Sequence, residues 1–505
     1  MGIDSSHRTL FRGNGSRIHL TDSPTEDVLT VQSQTSPTPP ADAPLPHTPE
    51  CTPLFRQPLA DLPEKSASSF AFVRAVRRNG LHLWARHAYE ADYVEERLFH
   101  QKWVLLNKPE LVHRVLVGNN GSYARPDSMI RVVRPLGRHG LLLATGERWK
   151  LQRRTIAPTL APKMLPILAR HVSTCTDEEI RALAAHDGAP LDLLAAMQTL
   201  ALKIAARSMF SVTIGDYGPA VRAAMQVFLQ RHAYMSFGDL VLPHWMPSLR
   251  SIGRAGFRRH WLALIGRIID ARERLPQAGD GPRDLFDALR SARDPETGVG
   301  FDRVELCDQV GTMIAAGHEP SALTLYWALY LLANAPDVQD AVAAEVRDVD
   351  LTPDRAADAL DALPYTRAVI SETLRLYPPA WLMTRKCIEP DQFDKLSVTR
   401  GTLVIISPWV LHHHRDYWRD PEAFDPARFL PGAPAVPRFA YLPFGTGPRV
   451  CVGAQFALAE TSLVLARFIQ AFETELADNA PVLPIALGLT APDRLVPFRL
   501  KPRRR

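Results

Sequence analysis

Residues Phe444-Gly445-Thr446-Gly447-Pro448-Arg449-Val450-Cys451-Val452-Gly453 bring one cysteine into a glycine-rich loop, and no other segment constrains the chain as tightly. An amphipathic stretch follows, Gly453 to Glu473, whose periodicity predicts a helix. N–H groups at a helix start favour a thiolate over a thiol at Cys451. Gly445, Gly447 and Gly453 lack Cβ atoms, so the backbone can turn sharply and approach a flat ligand closely. Arg449 lies two residues before the cysteine, in reach of a carboxylate on such a ligand. Phe444 opens the pattern F-x-x-G-x-R-x-C-x-G. At average residue usage it arises by chance in about one chain in ten thousand of this length, which argues against a merely structural cysteine.

The remaining four cysteines, Cys51, Cys175, Cys307 and Cys387, are scattered and form no C-x-x-C pair. That excludes a zinc ribbon or a fused iron–sulfur domain and gives no disulfide framework, as expected for a reducing compartment. The net charge of +5 is mild, and the basic end Lys501–Arg505 reads as a solvated tail, not a nucleic-acid site. No apolar run reaches the ~20 residues of a membrane span. The longest candidate, Ala322 to Ala333, contains Tyr326, Trp327 and Tyr330 and reads as a buried helix.

Residues 1–52 form a Pro/Ser/Thr-rich tail: eight prolines lie between Pro24 and Pro53, with few large apolar residues between them, and the composition predicts disorder. Residues 53–505 read as one large domain. Asn107-Lys108-Pro109-Glu110 opens a short helix with Asn107 as its cap. Helical periodicity covers about 163–185, 190–211, 218–236, 251–274, 302–334 and 364–377, with another helix starting at Pro336. Strand-like runs such as Thr402–Ser407 are few. The chain is therefore mostly α with small β-sheets.

Three further motifs accompany the cysteine loop. Glu372-Thr-Leu-Arg375 places an acid and a base on one helical face, and Phe424-Asp-Pro-Ala-Arg428-Phe supplies a second arginine. Gly146-Glu-Arg-Trp149-Lys-Leu-Gln-Arg153-Arg154 sets Trp149 and Arg153 four apart, where an indole N–H and a guanidinium suit one anionic oxygen. Ala315-Ala316-Gly317-His318-Glu319-Pro320-Ser321 lies within the long helix 302–334. Together these resemble the cytochrome P-450 superfamily. The resemblance implies the cytochrome P-450 fold, a haem b held by Cys451, propionate contacts from Trp149, Arg153, Arg385 and Arg449, and a structural triad of Glu372, Arg375 and Arg428. Phe444 and Gly453 would flank the cofactor.

The same resemblance implies insertion of one oxygen atom of dioxygen into a hydrophobic small molecule, in the manner of a soluble, bacterial-type, cytoplasmic enzyme. Electrons would come from a separate ferredoxin or flavodoxin with an NAD(P)H reductase. Its pattern A-G-x-(D/E)-T is met by Ala316, Gly317 and Glu319, but Pro320 replaces the threonine that normally helps to deliver protons. Proline has no N–H, so the Ala316 carbonyl loses its helical donor. A water, Ser321 or a substrate hydroxyl is expected to replace the lost alcohol, with Glu319 as the proton source. His318 reads as structural, and the run His412-His413-His414, taken as extended, offers no second metal site. The rival readings are a peroxide-using peroxygenase and a non-catalytic haem-binding protein. The pocket is expected from 124–142, 228–246, 310–321, 378–384 and 486–491, with Tyr234, Phe237 and Trp381.

Overall fold

The computed structural model describes residues 54–503 apart from 60–61, 65–74, 76–77, 99–100, 211–216, 234–235, 237, 240–241, 243–244, 275–283 and 394. The 1–52 tail with Cys51 lies outside the described residues, as do Tyr234 and Phe237.

Helices dominate, and ten of them organise the site: α1 (Asp127–Val133), α2 (Gly146–Ile156), α3 (Leu165–Ala184), α4 (Leu193–Phe210), α5 (Gly218–Val227), α6 (Leu249–Glu273), α7 (Arg303–Asn334), α8 (Pro364–Leu376), α9 (Pro408–His412) and α10 (Ala454–Ala471). α7 is the central shaft. It starts at a capping box, where the Asp302 carboxylate accepts the Glu305 N–H at 2.7 Å and Glu305 accepts from Asp302 N–H. Its second half is apolar on all sides because neighbours enclose it: Tyr326, Trp327 and Tyr330 are buried, and Trp327 stacks flat on Tyr377 with ring centroids 3.9 Å apart. α4, α6, α8 and α10 pack around that shaft. α4 is long and apolar enough to cross a membrane, but more than half of it is buried inside the protein.

The strands form small sheets. β1 (Tyr93–Leu98), β2 (Gln101–Leu106), β3 (Tyr123–Ala124), β4 (Met383–Cys387) and β7 (Leu403–Ile406) make a five-stranded sheet in the order β1-β2-β7-β4-β3; β5 (Asp391–Phe393) and β6 (Leu396–Val398) pair separately. β2 and β7 run parallel, with Trp103 opposite Leu403, while β4 runs antiparallel to β7 with Arg385 opposite Val404. β8 (Phe472–Leu476) pairs with β11 (Phe498–Pro502), and β9 (Pro484–Ala486) with β10 (Thr490–Pro492).

Several expected boundaries move. Asn107 does not cap the helix Pro109–His113; Lys108 holds the cap position, and the Asn107 amide donates to the Ala88 and Ala91 carbonyls. The 218–236 periodicity ends earlier, α5 passing into a wider turn at Phe228–His232. α10 stops at Ala471 and the chain continues as β8, although the apolar pattern runs on. His412 closes α9, so the three histidines are not extended. Each is buried and bonded separately: His412 Nε2 accepts the Leu442 N–H, His413 contacts Gln57 and the Trp409 carbonyl, and His414 contacts the Ala91 carbonyl.

Candidate functional site

The cysteine loop is fixed from several directions. Cys451 N–H donates to the Phe444 carbonyl at 3.0 Å and closes the loop on itself. Gly447 is the position that only glycine fits: its φ is +72°, and a Cβ there would lie 2.2 Å from the Leu116 carbonyl oxygen. Behind the loop, Arg375 spends its guanidinium in two directions. It grips the buried Glu372 carboxylate with two 2.7 Å bonds and donates to the carbonyls of His412, Pro421 and Ala423. Glu372 also accepts the Asp425 N–H at 3.0 Å, and the Arg428 Nε stands 3.5 Å from it. Tyr441 O–H donates to the Ser371 carbonyl, and Leu442 N–H to His412, which carries this rigidity into the loop.

Cys451 is exposed, whereas Cys175 and Cys387 are buried. Burial nevertheless pushes its thiol up, opposed by the Gly453 N–H and the nearby Arg153. A side chain that water reaches but that protein surrounds lies on the floor of a deep hollow. Gly453 and Gly317 both face open space, with nothing within 4 Å of a Cβ built on either.

Four arginines converge on this hollow. Arg153 donates to the Val450 carbonyl at 2.7 Å, and Arg449 donates to the Ala144 carbonyl while its guanidinium sits 4.4 Å over the Trp149 ring. Arg385 comes from β4, and Arg125 from the turn before α1. Desolvation, then repulsion from Arg449 and Arg385, lowers Arg125 to about 9; desolvation, then Arg385 and Arg153, lowers Arg449 to about 10. Desolvation also lowers Arg385 and Arg153. Among the described residues none of the four has an ion-pair partner. Such a cluster is built for an anion that must come from outside the chain. Lys150 pairs with Glu147, and Arg154 with Asp294 and Glu296.

α7 borders a cavity of its own. Thr312, Ala315, Ala316 and Glu319 border a cavity of about 300 Å³ whose other walls are largely apolar, among them Trp84, Trp103, Met129, Phe228 and Trp381. The expected segments 124–142, 228–246, 310–321, 378–384 and 486–491 all contribute; β2 and β7 add Trp103, Leu403 and Ile405, which the sequence reading left out. Pro320 interrupts the hydrogen-bond ladder of α7 without ending the helix. Glu319 is buried, accepts the Gln198 Nε2–H at 2.7 Å, and is held above the usual carboxylate range by desolvation, with Gln198 opposing. Ser321 does not border the cavity: its hydroxyl turns to α10 and donates to the buried Glu460 carboxyl at 3.0 Å.

A profile of the cytochrome P450 family matches residues 76–495. The chain belongs to the cytochrome P450 family. Among curated relatives, cyclooctat-9-en-7-ol 5-monooxygenase of Streptomyces melanosporofaciens is 33% identical over 78% of this chain and 84% of its own length. Cyclooctatin synthase of the same organism is 33% identical over 83% and 91%, and pentalenene oxygenase of Streptomyces avermitilis is 29% identical over 84% and 94%. The fold matches the crystal structure of a cytochrome P450, CYP102L1, with a TM-score of 0.69 at 24% identity, covering 85% of this chain and 98% of that one. It also matches the retinoic acid-bound cyanobacterial CYP120A1, with a TM-score of 0.70 at 24% identity, covering 83% and 93%.

This P450 is a haem-thiolate oxidoreductase, and its residues fit the cofactor. Arginines without an ion-pair partner among the described residues suit two propionates, Gly317 and Gly453 leave open space that a flat ring can use, and the Cys451 thiol is reachable. Arg125, Glu460 and Gln198 were not found from sequence. Arg125 is a single residue in an unremarkable turn, and its role appears only when chain segments far apart converge. Glu460 falls seven residues after Gly453, on the α10 face that meets Ser321, and its position within an apolar helix was the available signal.

Proposed function

We propose that this P450 hydroxylates an apolar polycyclic terpenoid, using dioxygen and electrons from a separate ferredoxin or flavodoxin and its NAD(P)H reductase. The observation that carries the reading is the apolar cavity against Ala315, Ala316 and Glu319: its size suits a compact hydrocarbon skeleton and its wall holds one acidic side chain. The names of the Streptomyces relatives, two cyclooctatin enzymes and a pentalenene oxygenase, support a terpenoid over a fatty acid.

In this reading Cys451 binds the iron, and Trp149, Arg125, Arg153, Arg385 and Arg449 hold the propionates. The cofactor when bound supplies dioxygen activation and oxygen transfer, favoured by electron density from the cysteine thiolate. The chain's own residues do the rest. The cavity walls exclude bulk water and orient the substrate. Glu319 carries the proton that the reaction consumes, while the Ala316 carbonyl, freed by Pro320, holds a water or a substrate hydroxyl in place of the absent alcohol. Ser321 stays bonded to Glu460 and takes no part.

Optical titration of the haem-loaded enzyme with cyclic terpenes, cyclic terpene alcohols and long-chain fatty acids tests the substrate class, followed by turnover with ferredoxin, reductase and dioxygen. Terpenoid-induced displacement of haem-bound water together with dioxygen-driven product is the expected outcome. Binding confined to fatty acids, or turnover by peroxide far above that by dioxygen, would overturn it.

A further inference from the structure

His318 lies between Gly317 and Glu319 on α7, fully inside the protein. Its Nε2 is 3.1 Å from the Gln198 main-chain carbonyl, and the Gln198 side chain donates to Glu319 Oε1. One residue of α4 thus grips both neighbours, through two different groups. A carbonyl can only accept, so Nε2 must carry the hydrogen. The imidazole is neutral, because desolvation drives its pKa down to about 4; the Gln198 carbonyl opposes that and Arg222 of α5 adds to it. Neutral and protonated at Nε2, the ring presents a bare lone pair at Nδ1. That atom is buried, has no hydrogen-bond partner, and stands 3.6 Å from Glu319 Oε2.

An ionised Glu319 would set two acceptors against each other in a buried place. A protonated Glu319 removes the conflict: Oε2–H donates to Nδ1 once a small rotation of the carboxyl brings the atoms a few tenths of an ångström closer, as ligand-free catalytic geometries commonly require. We propose that His318 is a positioning residue that keeps one proton on Glu319, its Nδ1 accepting the carboxyl hydrogen while Gln198 fixes the tautomer of the one and the orientation of the other. The stored proton leaves Glu319 for a water or hydroxyl in the cavity, giving a carboxylate, and a proton from solvent restores the acid; no electron moves in this step. Facing charges are few: Arg222 acts on His318 from α5, and Glu460 of α10 engages Ser321 rather than this pair.

The inference rests on the proposed role of Glu319, but its first readout does not need turnover. Infrared spectra of the haem-loaded protein near pH 7 are expected to contain a protonated-carboxyl band that Glu319→Gln removes. Glu460→Gln identifies the band belonging to Glu460. His318→Leu should shift the Glu319 band or abolish it, and His318→Asn, which keeps an acceptor close to the Nδ1 position, should restore it. In turnover, His318→Leu should move the alkaline limb of product per NAD(P)H downward by roughly one pH unit, with the reduced carbon monoxide spectrum intact as proof of folding. Absence of any Glu319-dependent carboxyl band near pH 7, or a band that ignores His318→Leu, overturns the proposal. Failure of dioxygen turnover with the band behaving as described would count against the monooxygenase reading alone.

Discussion

The cysteine loop and the α7 segment that borders the apolar cavity are built on different rules. On the cysteine side, backbone geometry leaves almost no choice: Gly447 touches a carbonyl, Cys451 bonds to Phe444, and Arg375 ties three main-chain oxygens behind the loop. On the α7 side, the helix tolerates histidine and proline within one turn, and what matters is which side chain faces which partner. Geometry dictated by the main chain can be read from a short motif. Chemistry set by side-chain pairing between distant helices cannot.

The strongest test of this contrast is Cys451→Ser. It should abolish the red-shifted Soret band of the reduced carbon monoxide complex, while serine at Cys175, Cys307 or Cys387 leaves the band in place. Next comes Glu372→Ala, which strands the Arg375 guanidinium in the core. A loss of roughly 3–5 kcal/mol is expected in denaturant unfolding, with poor haem retention. Gly447→Ala should cost ~1–3 kcal/mol or more from the left-handed backbone and the Leu116 contact. Gly317→Ala, whose Cβ meets nothing, should leave the stability of the haem-free protein almost unchanged; equal losses at the two glycines would erase the contrast.

Smaller effects sharpen the α7 side. Burial raises Glu460 to about 8, against a weak opposing bond from Ser321. The folded protein therefore binds a proton there that the unfolded chain has already lost, so this group makes stability fall as pH rises from about 4.5 towards 8, by up to ~1.4 kcal/mol per pH unit. Glu460→Gln should flatten that slope, measured as denaturant midpoints at pH 5, 6.5 and 8. The smallest effect is expected from Pro320→Thr. Dioxygen turnover should stay within about twofold or couple electrons to product slightly better, since the new hydroxyl only supplements what the Ala316 carbonyl and Glu319 already do.

The same contrast explains what was legible in the sequence. The helical fold and the Glu372–Arg375 pair followed from periodicity and spacing, because neighbours on one helix must face together. Asn107 was misread because the carbonyls that capture its amide belong to residues 88 and 91, outside any local pattern. Ser321 follows Pro320 directly, yet its hydroxyl points to α10, a direction fixed by a residue 139 positions later. His318 reads as a structural histidine until Gln198, 120 residues earlier, determines which nitrogen is bare.

The arginine cluster also bears on the order in which the protein is made. Arg125 and Arg153 leave the ribosome long before Arg385 and Arg449, and the four meet only when the last fifth of the chain is available. At that moment like charges are forced together with no ion-pair partner among the described residues, so the final docking step is opposed until an anion arrives. A ligand that binds only the completed arrangement pulls this step forward by mass action. Cofactor supply during biosynthesis would then set how many newly made chains finish folding, as well as how many become active.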